Sequence, residues 1–398
     1  MTSVEQSYAP AATTARLGIL AAGLFVVGTN AFVIAGLLPQ IAAALGTTQS
    51  HVSFSITLYA LIVAIGSPLL SIVAARTNRS ALMAAGLVVI GLGTALAAMA
   101  ASIGVFDAGR ALAAVGGAAL VPTATAAGPS IVPPERRGRA IAAVGLGFTL
   151  ATAVGAPAGT ALAGIAGWRM PLFVLAGMAL AVAAALATAV RAVPITAAVT
   201  LRDRLGVLRR RGILGGLAAA ALVTAAFNVV YVFSAAVTHR ATGGDASTLA
   251  VLLLLYGLGG IVGTVVSGRL ADRFGTRPVL VLALSAQVLT LALLPLTGAS
   301  RTAVGAAFLV WGVVAFGAVV PLQQRLVELA PAAAGISLSW YSTAMYVGIA
   351  LAPVVGSRAL STGADGGPVV VPLTGAALTV AALVTAGIRM SGRRAVAD

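Results

Sequence analysis

The chain has 398 residues, of which 60% are hydrophobic and 8% charged, and its mean hydropathy is +1.07. A soluble domain cannot cover so much apolar side chain with so little charge, so the solvent for most of the chain is lipid. Its net charge of +15 rests on 24 arginines with no lysine, and these stand in short runs between apolar stretches without the basic face or aromatic platform of a nucleic-acid binder. No cysteine and only two histidines, His51 and His239, exclude a disulfide framework and a thiolate metal site, and no metal or other cofactor is expected.

Residues 1–15 are polar and read as a disordered tail. The apolar run that follows is too long for the core of a signal peptide and reads as a first membrane span. About 20 apolar residues cross the hydrocarbon at ~1.5 Å each. Stretches of that length fall near 17–38, 52–74, 81–100, 103–126, 139–164 and 170–190, and again near 213–237, 247–268, 278–297, 302–324, 335–357 and 369–389. The predicted fold is therefore an all-α membrane protein of twelve spans, with six-helix bundles over 16–190 and 213–390, a basic linker over 191–212 and a tail over 391–398.

The two halves repeat. Ser71 to Arg76 lies over Gly268 to Arg273 and Pro134 over Pro331 at an offset of 197; Ala156-Pro157 matches Ala352-Pro353 at 196, and Val121-Pro122 matches Val320-Pro321 at 199. A tandem pair of membrane bundles is the architecture of a transporter with its site between them. Twelve spans put both termini on one side. With that side inside, inner loops and tails hold 19 arginines, against five (Arg110, Arg169, Arg240, Arg301, Arg358) elsewhere, so the arginine-rich side is predicted to be cytoplasmic. Within the linker Leu201, Leu205 and Leu208 recur at helical spacing among arginines, which reads either as an amphipathic helix on the inner leaflet or as a disordered basic connection.

Three motifs stand out. In span 5, Gly147, Ala151, Gly155, Gly159 and Ala163 form a small-residue stripe for close helix contact, and Pro157 removes a backbone donor and invites a bend. After span 8 comes Gly268-Arg269-Leu270-Ala271-Asp272-Arg273-Phe274-Gly275-Thr276-Arg277, in which Gly268 is expected to let helices approach, Asp272 to accept from a helix N-terminus or an arginine, and Gly275 to permit the turn. The first-half copy keeps Arg76 but has Ala75 in place of the acid. Span 1 carries Gly28-Thr29-Asn30-Ala31-Phe32-Val33-Ile34-Ala35-Gly36-Leu37-Leu38-Pro39.

These motifs, with Gly167-Trp168-Arg169 and Pro321-Leu322-Gln323-Gln324-Arg325, resemble those of the major facilitator superfamily, and within it the twelve-span drug:proton antiporters of the chloramphenicol-resistance and arabinose-efflux type. The resemblance implies alternating-access export of small, fairly hydrophobic molecules, an amphenicol-type antibiotic for example, across a bacterial plasma membrane in exchange for protons. It also gives Arg110 the role of the fourth-span arginine that such exporters use in proton coupling or substrate binding. Where many relatives carry an acid in span 1, this chain has Ala31 beside Asn30. That departure keeps open a sugar or metabolite exporter or facilitator without proton coupling.

A charge inside a span costs ~2.5–3.5 kcal/mol on insertion scales, so each needs a reason. Arg110 has Asp107 one helical turn away on the same face, and the two are expected to pair and to couple transport to protons. Polar and aromatic residues in otherwise apolar spans outline a substrate cavity: Asn30, Tyr59, Arg110, Asn228, Tyr231, Trp340 and Tyr341. With no catalytic cluster, nucleotide loop or long soluble segment the chain does not read as an enzyme; its expected partners are the bilayer and a small-molecule substrate, it is expected to bind no nucleic acid, and it is expected to act as a monomer. Because the chain lacks cysteine, Thr200→Cys and Gly243→Cys test the orientation cleanly. An impermeant thiol reagent on intact cells should label position 243 and spare position 200; labelling of position 200 would reverse the topology.

Overall fold

The computed structural model describes residues 10–73, 77–133, 136–190, 201–210, 212–362 and 367–389. Arg76, residues 1–9, the first half of the linker (191–200) and the tail 391–398 lie outside them, whereas residues 10–15, expected to be disordered, form the first turns of a helix. Among the described residues all regular structure is helical, and twelve helices are long and apolar enough to cross a membrane. Spans 1–4 are Pro10–Ala44, Gln49–Val73, Arg79–Ala98 and Ile103–Ser130. Span 5 runs from Arg137 to Ala166 in three pieces, and span 6 is Arg169–Ala189. A linker helix, Leu201–Leu208, precedes span 7 (Ile213–Val232), span 8 (Ala246–Phe274) and span 9 (Thr276–Leu293). Span 10 comprises Arg301–Gly317 and Val319–Leu329, span 11 is Ala334–Leu360 and span 12 is Gly367–Arg389.

Short polar side chains start spans 3, 4, 8 and 10 by accepting from the free N–H groups of the first turn. Asn78 accepts from Ser80 and Ala81 N at 3.0 and 3.3 Å, and Asp245 from Thr248 N at 2.8 Å. Gly275 ends span 8 at φ +89°, a left-handed conformation that its place in the loop motif requires. Span 5 departs from the simple bend expected at Pro157. Residues Ala151–Gly155 form a π turn in which Ala156 N–H reaches back to Ala151 O, so the ladder adjusts one turn before the proline that cannot donate.

The stripe on span 5 packs against span 1. A Cβ on Gly147 would run into the main-chain carbonyl of Ala21, whereas one on Gly145, a position off the stripe, would meet nothing within 4 Å. Gly155 faces Thr29, and Gly159 faces Val33. No side chain fits at Gly147 without moving a helix backbone.

Spans 1–6 and spans 7–12 pack together along spans 2 and 11 and along spans 5 and 8, with specific contacts at the junction. Thr57 Oγ1 of span 2 donates to Ala350 O of span 11 at 2.8 Å, three residues before Pro353. Gly257 of span 8 leaves no room for a Cβ above the main chain of Ala153, and Phe32 of span 1 meets Tyr231 of span 7 edge-on with ring centroids 5.8 Å apart. Each of these residues lies in the half of its helix nearer the arginine-poor end. There, a Cβ built on Gly164 of span 5 falls 3.2 Å from the Cβ of Ala246 of span 8. Disulfides join Cβ atoms ~3.5–4.5 Å apart, so Gly164→Cys with Ala246→Cys should cross-link under mild oxidation and lose thiol labelling. Two cysteines that stay fully labelled after oxidation would contradict this junction.

Candidate functional site

Arg110 is 1% exposed and is among the largest fully buried side chains. Its Nη1 donates to the main-chain carbonyl of Asn30 at 2.8 Å and also, by a short contact, to Asn30 Oδ1. Asn30 Nδ2 in turn donates to Thr94 Oγ1 at 2.5 Å, and Thr94 Oγ1 donates to Ile90 O at 2.7 Å. The amide is thus held with its oxygen toward the guanidinium by a chain that ends on the backbone of span 3. Over the other face, the guanidinium carbon sits 4.5 Å from the ring centroid of Tyr59 in span 2.

These contacts decide how the charge is tolerated. Hydrogen bonds to a charged group are worth roughly 1.5–3 kcal/mol each and a desolvated cation–π contact about 2 kcal/mol. Two such bonds and one ring exceed the ~2.5–3.5 kcal/mol insertion cost without any carboxylate. Spans 1, 2, 3 and 4 therefore converge on one cation.

The expected pair is not formed. Arg110 and Asp107 make no ion pair, and Asp107 is half-buried with Oδ1 lacking a protein partner. Spacing of three residues puts both side chains on one face of span 4, but the long arginine reaches across to span 1 while the short aspartate stays toward the arginine-poor end. Nε and Nη2 of Arg110 and the hydroxyl of Tyr59 also have no hydrogen-bond partner. Tyr346 of span 11 is also buried, and its hydroxyl too is unpartnered.

Next to this centre stands an aromatic cluster. Tyr231 packs on Phe32 and on Tyr256 of span 8, at 5.8 and 5.4 Å, and Tyr256 packs on Trp311 of span 10 at 4.2 Å. Tyr231 and Tyr256 are buried with hydroxyls unpaired. Sequence reasoning singled out Tyr231 but not Tyr256, Trp311 or Tyr346. Their only signal was an aromatic ring in the middle of an aliphatic run, which packing residues share.

Other expected positions fall elsewhere. Asn228 shares a helix with Tyr231, but its Nδ2 donates to Thr224 O of its own span at 2.9 Å. Trp340 does not join Arg110; its Nε1 donates to Arg204 O of the linker helix at 3.0 Å, because it stands in the first turns of span 11. Tyr341, one residue on, is buried in the same first turns of span 11. In the loop motif Asp272 accepts from Gln324 Nε2 at 3.2 Å rather than from an arginine or a helix N-terminus. A Cβ on Gly268 would meet only Val320 at an ordinary 3.7 Å, so that glycine is not needed for close approach. Arg273 lies over the ring of Phe274, and Arg277 opens span 9 beside Thr276, whose hydroxyl donates to Glu328 at 3.2 Å. Among the described residues no three His, Asp or Glu side chains gather as a metal site.

The family model described as Major Facilitator Superfamily matches residues 20–353, which is most of the chain and includes every residue of the Arg110 centre. The chain belongs to the Major Facilitator Superfamily. As a member of that superfamily it is a multi-pass membrane transporter of small molecules and not an enzyme. It is 30% identical over 376 residues to the inner membrane transport protein YdhP of Escherichia coli strain K12, covering 94% of this chain and 95% of that one. It is also 30% identical over 350 residues to a chloramphenicol resistance protein of Streptomyces lividans, covering 86% and 88%. Among solved structures, the nucleoside transporter NupG matches with a TM-score of 0.75 at 13% identity over 96% of this chain and 100% of that one. A bacterial homologue of the human lysosomal transporter Spinster, inward-facing and unoccupied, matches with a TM-score of 0.70 at 16% identity, covering 95% of each. At such identities the two structures speak for the superfamily fold alone.

Proposed function

We propose that this transporter exports small, fairly hydrophobic, drug-like molecules, amphenicols among them, from a bacterial cytoplasm in exchange for protons. The reading places it in the plasma membrane with both termini inside, working as a monomer. The observation that carries it is the buried guanidinium of Arg110, one turn from the half-buried Asp107 and held at the convergence of four spans. Similarity to the chloramphenicol resistance protein supports the substrate class, as does a surrounding of aromatic rings and unpartnered hydroxyls with few charges.

In this reading the two groups of spans rock about the site and open it to each side in turn. Ionised Asp107 draws Arg110 away from Asn30; protonated Asp107 releases it to Asn30, the arrangement of the described structure. Because Asn30 lies two residues before Phe32, a move of the guanidinium acts on the span that meets Tyr231 of the other half.

A second reading, a sugar or metabolite exporter or facilitator without proton coupling, has one observation in its favour: the partner of Arg110 is an amide, not an acid. Asp107→Asn separates the two. In vesicles it should abolish accumulation driven by a pH gradient while leaving substrate binding and downhill exchange, and Arg110→Ala should impair both. Full pH-driven accumulation by Asp107→Asn would remove proton coupling through this residue and favour the second reading.

A further inference from the structure

At the arginine-rich end an open cleft of about 850 Å³ lies between the linker helix and the start of span 11. Arg202, Arg209 and Arg210 line it, against a single acid, Asp203. None of the three arginine side chains forms an ion pair or a hydrogen bond among the described residues. Leu205 on the linker helix, and Ala333 and Ile336 at the base of span 11, give the cleft apolar surface as well.

The cleft is built by a fixed contact. Val207 is 4% exposed and belongs to the hydrophobic core, and Trp340 holds the carbonyl of Arg204. This differs from the arrangement expected from Leu201, Leu205 and Leu208 alone, in which the linker helix would lay its leucines on the leaflet. Instead Val207 and the partly buried Leu208 face the bundle, and Leu205, 45% exposed, is left beside the arginines.

We propose that this cleft is a binding site for the headgroup of an anionic phospholipid. Three guanidinium groups against one carboxylate leave a surplus of positive charge that matches a phosphodiester carrying no balancing cation, and arginine forks suit phosphate oxygens. A free phosphate would need no greasy wall. A lipid does, because its glycerol and first methylenes lie next to its phosphate, and Leu205 and Ile336 supply that surface at the end of a membrane span. The bound headgroup tethers the linker to span 11, whose other half meets span 2 through Thr57.

The test uses the full-length protein in a nonionic detergent, titrated separately with phosphatidylglycerol, phosphatidylcholine and inorganic phosphate while its unfolding temperature is followed. Phosphatidylglycerol should raise that temperature and the other two should not. The triple variant Arg202→Gln, Arg209→Gln, Arg210→Gln should bind phosphatidylglycerol on the order of 100-fold more weakly, as roughly a fivefold loss per arginine near an anionic headgroup implies. Arg136→Gln, Arg137→Gln, Arg139→Gln removes equal charge at the same end away from the cleft and should keep the response. Leu205→Glu, at an exposed position, gives the same loss should the triple variant fail to fold. An equal response to phosphatidylcholine or to inorganic phosphate, or equal loss in the two triple variants, would overturn the site.

Discussion

The contact on which the rest of the site depends is that of Arg110 with Asn30. A cation inside the bilayer must find its solvation within the protein, and here it is found in two oxygens of one asparagine and the face of one tyrosine. Because those groups come from spans 1 and 2, and the asparagine is in turn fixed by Thr94 of span 3, the charge fixes how four helices stand around it. Few other side chains in so apolar a protein have that reach.

Span 1 carries the consequence outward. One side of it is locked to span 5, where Gly147 admits the carbonyl of Ala21 and the π turn before Pro157 keeps the ladder intact. Two residues beyond Asn30, Phe32 stands against both Phe148 of span 5 and Tyr231 of span 7. A shift of the guanidinium therefore acts on a helix already tied to the contact between halves. That is a physical route from a charge to a rigid-body motion, with each link a named contact.

Much of the architecture was legible in the sequence because lipid imposes a crude rule: about 20 apolar residues per crossing, with breaks marked by arginine, glycine and proline. Asn30, Tyr59 and Arg110 were legible singly, since each is a polar outlier in an apolar run. Their grouping was not, for helical spacing speaks of neighbours on one helix, and the partner of Arg110 lies 80 residues away on another. The same limit produced the pairing with Asp107, a correct statement about one face of span 4 that ignored the reach of the arginine. Trp340 misled in a related way, because an aromatic near the end of a span serves the linker as readily as a cavity. Tyr256 and Trp311 carried no signal apart from the packing they also perform.

The most direct measurement is a double-mutant cycle in thermal or denaturant stability on Asn30→Leu and Arg110→Met, with the full chain in detergent. If the Asn30 side chain solvates the charge, Asn30→Leu removes its amide oxygen while the main-chain carbonyl and the Tyr59 ring stay, and should cost about 1.5–3 kcal/mol, whereas adding Arg110→Met should recover most of that loss. Costs that simply add in the double variant would contradict it, and would mean that the guanidinium is held by something other than Asn30.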